Sequence, residues 1–231
     1  MLLLRLHMLN ALFTLGSAAQ ARSMRKEVLS MSRSTPHFGR KFYHFLMGLF
    51  CYGLYAFVLT REEALILLGS IGGLLMLADI VRLKYPAFNA IALRLFGKIM
   101  RREELRSISG NSFYILGLLV VVFFFSKPVV LLSVLFLAIG DPIAAIVGTR
   151  WGRTKITKRK SLEGSVANFL ATALASLLFA LFYLQFGIPQ SLLLALLGGT
   201  VSTLVELLPA PIDDNFTIPV GSALLLSLFI S

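Results

Sequence analysis

Long apolar runs alternate with short polar connectors along this chain. The runs lie at about 43–60, 63–81, 111–126, 128–147, 165–186, 190–207 and 216–231, and each approaches the ~20 residues a helix needs to cross the hydrocarbon layer of a bilayer. Backbone amides cannot stay unpaired in lipid, so runs of this length predict helices and not open sheet edges. The expected fold is all-α: a polytopic membrane protein with about seven transmembrane helices plus interfacial helices. Residues 88–105 (FNAIALRLFGKIMRREEL) place Phe88, Ile91, Leu95, Ile99 and Arg102 at helical spacing. That mixture of apolar and basic positions predicts a helix lying on the membrane surface. The first 21 residues have an apolar core and end in Ala19-Gln20-Ala21, which resembles a signal-peptide cleavage site. Cleavage there would export the basic stretch from Arg22 to Lys41, so an uncleaved interfacial or partly inserted helix is expected. Residues 1–39 are thus read as a basic N-terminal segment and 40–231 as a single transmembrane catalytic domain. Pro219, near the start of the last run, lacks an amide donor and predicts a tilted or broken helix there.

Composition agrees with the pattern: 57% of the 231 residues are hydrophobic and 14% charged, with a mean hydropathy of +0.84. Soluble domains carry about 25% charge, so a water-soluble globule is excluded. The single cysteine, Cys51, excludes an intrachain disulfide framework and a cysteine-built zinc site. His7, His37 and His44 form no HExxH pair. The formal charge of +11 would suit a nucleic-acid partner if it were spread over one soluble face. It is not: 20 of the 22 Lys and Arg residues fall in three blocks, at 5–41, 82–106 and 150–160, with Arg61 and Lys127 as the exceptions. Basic loops stay in the cytoplasm. This distribution predicts a cytoplasmic N-terminus, cytoplasmic basic loops, an external C-terminus, and membrane lipids in place of nucleic acid as the partner.

Apart from Glu27, Glu62, Glu63, Glu103 and Glu104, six acids remain: Asp79, Asp141, Glu163, Glu206, Asp213 and Asp214. All six fall at or near the cytoplasmic ends of the predicted spans. Carboxylates at membrane depth are costly and usually face a cavity, a partner or an ion. Asp79 has a simpler use open to it, neutralising Arg82 three residues on. The loop GDPIAAIVGTRWGRTKITKRKSLEGS carries the most chemistry. Gly148 and Gly152 permit close backbone approach, Lys155 and Lys160 belong to a basic cluster that can neutralise phosphates, and Asp141 and Glu163 can hold Mg²⁺ against phosphate oxygens. A polyphosphate cradle is expected here. An ordinary basic loop gripping anionic lipid would account for the charge but not for the two acids. Known nucleotide motifs do not fit, because Gly148-Thr-Arg-Trp-Gly152-Arg-Thr is one residue short of a P-loop and has Arg where Lys is needed.

Four segments carry a resemblance. They are Arg40-Lys41-Phe-Tyr-His44-Phe-Leu-Met-Gly48, Gly140-Asp141-Pro-Ile-Ala-Ala145 with Gly148 and Gly152, Lys160-Ser-Leu-Glu-Gly164, and Glu206-Leu-Leu-Pro-Ala-Pro-Ile-Asp213-Asp214-Asn215. Taken in order they resemble the CTP-dependent lipid kinase family, which includes dolichol kinase, phytol kinase and CTP-dependent diacylglycerol kinase. The resemblance spans about residues 40–231 and implies an enzyme that moves the terminal phosphoryl group of CTP onto a lipid alcohol with Mg²⁺. It implies catalytic roles for Asp141, Asp213, Asp214 and Lys160. Nucleotide contacts would come from Gly148, Gly152, Lys155, Lys160, Ser161, Glu163, Gly164 and Asn215, with Arg40, Lys41 and His44 in support. Asp141 and one of Asp213 and Asp214 would hold the metal, and the other carboxylate would accept the proton of the lipid hydroxyl. His44 is an alternative base or a hydrogen-bonded structural residue.

Two other functions stay open. CDP-diacylglycerol synthases share a GD…G…K…EG pattern, so phosphatidate cytidylyl transfer is the nearest alternative, although their long signature ending in HGG and DRxD is replaced here by PIDDN. A non-enzymatic transporter or scaffold is more distant, since it would place its carboxylates near the bilayer midplane. The acceptor alcohol and the oligomeric state are not legible.

Overall fold

The computed structural model describes residues 38–96, 100, 103–157, 160–210 and 212–230, apart from the side chains of Phe38, Arg40 and Glu103. The helix expected within residues 1–39 lies almost wholly outside these. Among the described residues the fold is helical: α1 (Phe38–Phe57), α2 (Arg61–Lys84), α3 (Pro86–Phe96), α4 (Gly110–Phe124), α5 (Lys127–Arg150), α6 (Leu162–Phe182), α7 (Ile188–Leu207) and α8 (Asp214–Leu226). Four of them, α2, α5, α6 and α7, are long and apolar enough to cross a membrane. The chain is a multi-pass membrane protein. Every predicted run carries a helix, but those at 111–126 and 216–231 have only 15 and 13 residues, short of the ~20 a perpendicular crossing requires.

The chain forms two compact units. The larger holds Phe38–Gly72 and Phe113–Ser231, and the smaller includes Gly73–Ser112. In the larger unit α5 is the central helix, with Val129 to Phe136 all buried. Its hydrogen-bond ladder widens into one π-helical turn, Phe136–Gly140, before resuming as Asp141–Arg150. Such turns contain an extra residue and recur at functional sites. Small residues bring α6 and α7 together: a Cβ on Gly198 would stand 2.0 Å from the Ser176 hydroxyl. Close backbone approach supplies the van der Waals contact that holds helices together in lipid, where no hydrophobic drive exists. The buried hydroxyls of Thr172 and Ser176 return to helix carbonyls four residues back, at 2.8 and 2.7 Å, so each polar group is satisfied inside its own helix.

Pro219 does not break α8, which removes one of the two expected outcomes, a break. The helix runs through it. A proline at this position cannot serve the carbonyl of Asn215, four residues earlier, and α4 closes on that carbonyl instead. A Cβ on Gly117 would lie 3.0 Å from the Asn215 oxygen, so a glycine is what lets α4 approach the helix there.

The smaller unit is organised by Asp79 and Arg82. Arg82 Nε donates to Asp79 Oδ1 at 2.6 Å, and its other nitrogens donate to the carbonyls of Glu104 and Ser107 at 3.0 and 2.6 Å. Asp79 Oδ2 accepts from the Ser109 amide and from the hydroxyls of Ser109 and Ser112 at 2.6–2.9 Å. This pair is a structural hub that anchors 103–112 to α2. Of the expected surface helix at 88–105, α3 forms the first part, with Phe88, Ile91 and Leu95 exposed along it. A separate 3₁₀ turn, Glu103–Leu105, follows.

Candidate active site

The larger unit gathers charged side chains from four helices and a loop. Asp141 stands on α5 directly after the π turn, 9% exposed, and accepts a hydrogen bond from Lys41 Nζ on α1. Immediately before it, Gly140 has no room for a side chain, because a Cβ there would lie 2.7 Å from Asn168 Oδ1 and 3.2 Å from the Ser202 hydroxyl. Asn168 on α6 is 1% exposed and accepts from Ser202 on α7 at 2.9 Å. A satisfied polar layer thus supports the π turn from below and fixes where Asp141 starts.

Between α5 and α6, the described residues 151–157 and 160–161 belong to a polar loop. Lys155 and Ser161 pair as an isolated antiparallel bridge, the Ile156 amide donates to the Lys160 carbonyl at 3.0 Å, and the Leu162 amide to the Thr154 carbonyl at 2.9 Å. The Glu163 carboxylate fastens this loop by accepting from the Thr154 amide at 3.0 and 3.3 Å. Ser161 caps α6, its hydroxyl accepting from the Gly164 amide at 3.2 Å. A Cβ on Gly152 would meet the Gly148 carbonyl at 2.2 Å and the Ser161 hydroxyl at 2.5 Å, and one on Gly164 would meet the Ala144 carbonyl at 2.8 Å. Gly148, Gly152, Ser161 and Gly164 therefore interlock, and their packing sets the emergence of Lys160.

Lys160 reaches across to α7 and α8. Its Nζ donates to the Glu206 carbonyl, lies 3.3 Å from Glu206 Oε1 and 3.9 Å from Asp214 Oδ2. Glu206, at the end of α7, is 7% exposed, and Asp141 and Asp214 are within its electrostatic reach. Asp213 caps α8, accepting from the Asn215 amide at 3.0 Å. The Asp214 side chain is 40% exposed. Desolvation pushes its carboxyl above the ordinary carboxylate range and Asp141 and Asp213 add repulsion, against the opposing pull of Lys160 and Lys41.

The sequence-predicted residues thus divide. Lys41, Asp141, Lys160 and Asp214 converge. Gly148, Gly152, Ser161 and Gly164 form the packed base of the loop, Lys155 and Glu163 lie on its exposed side, and Asn215 is buried beneath the start of α8. His44 packs one helical turn below Lys41 against Tyr114, ring centroids 5.7 Å apart. The side chain of Arg40 lies outside the described residues. Glu206 is one of the rare acids without an expected role, and Asn168 and Ser202 lie in apolar runs, where an amide is the available signal.

Chemically, two lysines face several carboxylates at the mouth of a helical bundle. Among the described residues no group of three or more His, Cys, Asp or Glu stands ready to hold a metal. Mg²⁺ does not require one, since it is commonly bound by one or two carboxylates plus substrate phosphates. Asp141 and Asp214, hard oxygen donors within mutual electrostatic reach, fit that pattern.

Comparison with known proteins decides the family. The chain is 33% identical over 207 residues to the CTP-dependent diacylglycerol kinase 1 of Saccharomyces cerevisiae, a match covering 81% of this chain and 71% of the relative. The chain belongs to the CTP-dependent lipid kinase family. Another member of the family, phytol kinase 1 of Arabidopsis thaliana, is 33% identical over 59% of this chain and 48% of its own length. An uncharacterized protein of Rickettsia prowazekii is 29% identical over 82% of this chain and 93% of its own. No family model matches the chain, and no solved structure matches it significantly. As a lipid kinase of this family it is an enzyme.

Proposed function

We propose that this protein transfers the terminal phosphoryl group of CTP to diacylglycerol at the membrane surface, with Mg²⁺, and that its active site faces the cytoplasm. The observation that supports this most is the convergence of Lys41, Asp141, Lys160 and Asp214 from separate elements into one cluster. Diacylglycerol is favoured over phytol because the match to the diacylglycerol kinase covers far more of both chains. Phosphoryl transfer requires positioning and charge neutralisation more than covalent catalysis. Lys41 and Lys160, each beside a carboxylate, supply the cations for the triphosphate. Asp141 and Asp214 would hold Mg²⁺, which would supply positive charge against the triphosphate. The interlocked glycines and Ser161 hold the loop so that Lys160 is pre-aimed. The basic blocks at 82–106 and 150–160 keep this face on the cytoplasmic side.

The test is a transfer assay on purified protein in mixed micelles, with CTP labelled at either the α or the γ position and diacylglycerol, phytol, a polyprenol or phosphatidic acid as acceptor. Label from the γ position alone, entering diacylglycerol with release of CDP, is the expected result. Stoichiometric pyrophosphate with phosphatidic acid would replace the kinase by a cytidylyltransferase.

A further inference from the structure

The four carboxylates at the site differ in what already engages them. Asp141 carries the Lys41 ammonium. Asp213 caps α8, and Asp214 is the exposed one, with Lys160 at 3.9 Å. Glu206 is unlike the others: more than nine-tenths buried, it directs Oε1 at Lys160, while Oε2 is buried without any hydrogen-bond partner. A carboxylate oxygen withdrawn from water and left unmatched is destabilising, and in a native protein it calls for a specific explanation. A partner arriving with substrate supplies one. That partner must be a hydrogen-bond donor or a cation. The phosphates of a nucleotide are acceptors, so they are excluded, and a metal ion is the competing partner that the experiment below separates from a donor. The acceptor alcohol is a donor, and it must lose its proton in the reaction.

We infer that Glu206 is the residue that accepts the proton of the lipid hydroxyl. This rests on the lipid-kinase reading above and assigns a role there to a carboxylate outside the sequence-predicted set. The alcohol hydrogen-bonds to Glu206 Oε2. Its oxygen forms a bond to the γ-phosphorus as the bond from that phosphorus to the β,γ-bridging oxygen breaks. The hydroxyl proton passes to Glu206, the bridging electron pair leaves with CDP, and the proton then goes to solvent. Lys160 is held by Glu206 and Asp214 before the nucleotide arrives, so its transfer to the phosphates leaves the Glu206 carboxylate without a counter-charge when a proton acceptor is needed.

The experiment uses full-length protein in detergent micelles with diacylglycerol and γ-labelled CTP. Transfer by the wild type is established first; its failure would remove the lipid-kinase reading itself. Glu206→Gln keeps the size and the acceptor atom but cannot take a proton. Its kcat should fall by about 100-fold or more, with the KM for CTP changed by less than about threefold and Mn²⁺ binding to the CTP complex unchanged. Glu206→Asp keeps the charge beside Lys160 but withdraws the oxygen by one methylene. It should lose kcat to an intermediate degree, again without a change in KM, and it decides the matter alone if the glutamine variant does not fold. Retention of kcat, or a loss carried by the CTP KM or by weakened Mn²⁺ binding, would overturn the assignment and make Glu206 a tether for Lys160 or a metal ligand.

Discussion

At the scale of single residues, the roles proposed for Asp141 and Lys160 are separable. Asp141→Asn removes a charge proposed to hold the metal but leaves the shape of α5 unchanged. It should lower turnover by at least about 100-fold with insertion and expression intact, as checked by labelled transfer alongside membrane yield. Lys160→Ala removes a charge-assisted contact worth about 1.5–3 kcal/mol, so the KM for CTP should rise by roughly 10- to 100-fold. The Asp214 carboxyl, pushed up by desolvation and by its acidic neighbours, must be ionised to act. Acidification therefore protonates it earlier than an ordinary aspartate, and the acid limb of kcat/KM should lie above the ~3.9 of an unperturbed aspartate. Because Lys160 opposes that rise, Lys160→Gln should move the limb to higher pH; a limb that stays put would remove Asp214 from the titration. Asp141 and Lys160 were legible in the sequence because charge is scarce here and every acid near a span's end attracts notice. The role of Glu206 was not. Its partner Lys160 is 46 positions away, and no local spacing announces that the end of α7 folds over the loop before α6.

Elements differ in how much of them could be read beforehand. Helix positions follow from the apolar runs, since lipid leaves the backbone no alternative. The π turn in α5 has no such signature, because a helix buried on all sides has no polar face whose phase could register an extra residue. The loop between α5 and α6 is expected to be a polyphosphate cradle, and the close packing of Gly148, Gly152, Ser161 and Gly164 at its base has no signature beyond the glycines themselves. That packing is testable with glycines. Gly152→Ala would force a Cβ against the Gly148 carbonyl and Ser161, so it should destabilise the protein by about 1–3 kcal/mol and raise the KM for CTP by misplacing Lys160. Gly69→Ala, in α2 where a Cβ meets nothing within 4 Å, should be neutral or stabilising by up to ~1 kcal/mol. Thermal unfolding of both in the same detergent provides the check. Equal effects would mean that the loop base is not packed in solution.

For the whole molecule the decisive quantity is orientation. Helix α5 has 24 residues, and at 1.5 Å per residue it is about 36 Å long, enough to exceed a hydrocarbon layer of about 30 Å. Lys127 and Arg150 must then lie on opposite sides of the membrane. Reporters fused after Arg102, Lys158 and Asn215 should all read cytoplasmic, and one inserted beside Lys127 should not; an external signal at Lys158 would place the site on the wrong side for a cytoplasmic nucleotide. The π turn lies within this same span, and one surplus residue there turns everything beyond it by about 100° relative to an uninterrupted helix. Regularising this ladder at full length would swing Asp141 away from Lys41, Lys160 and Asp214, whereas excising Ile139 would remove the residue that the wide turn absorbs and leave Asp141 facing them. The register of Asp141 is therefore carried by an irregularity that folding alone would select against, and the shortened chain should be the better helix with the charge cluster kept.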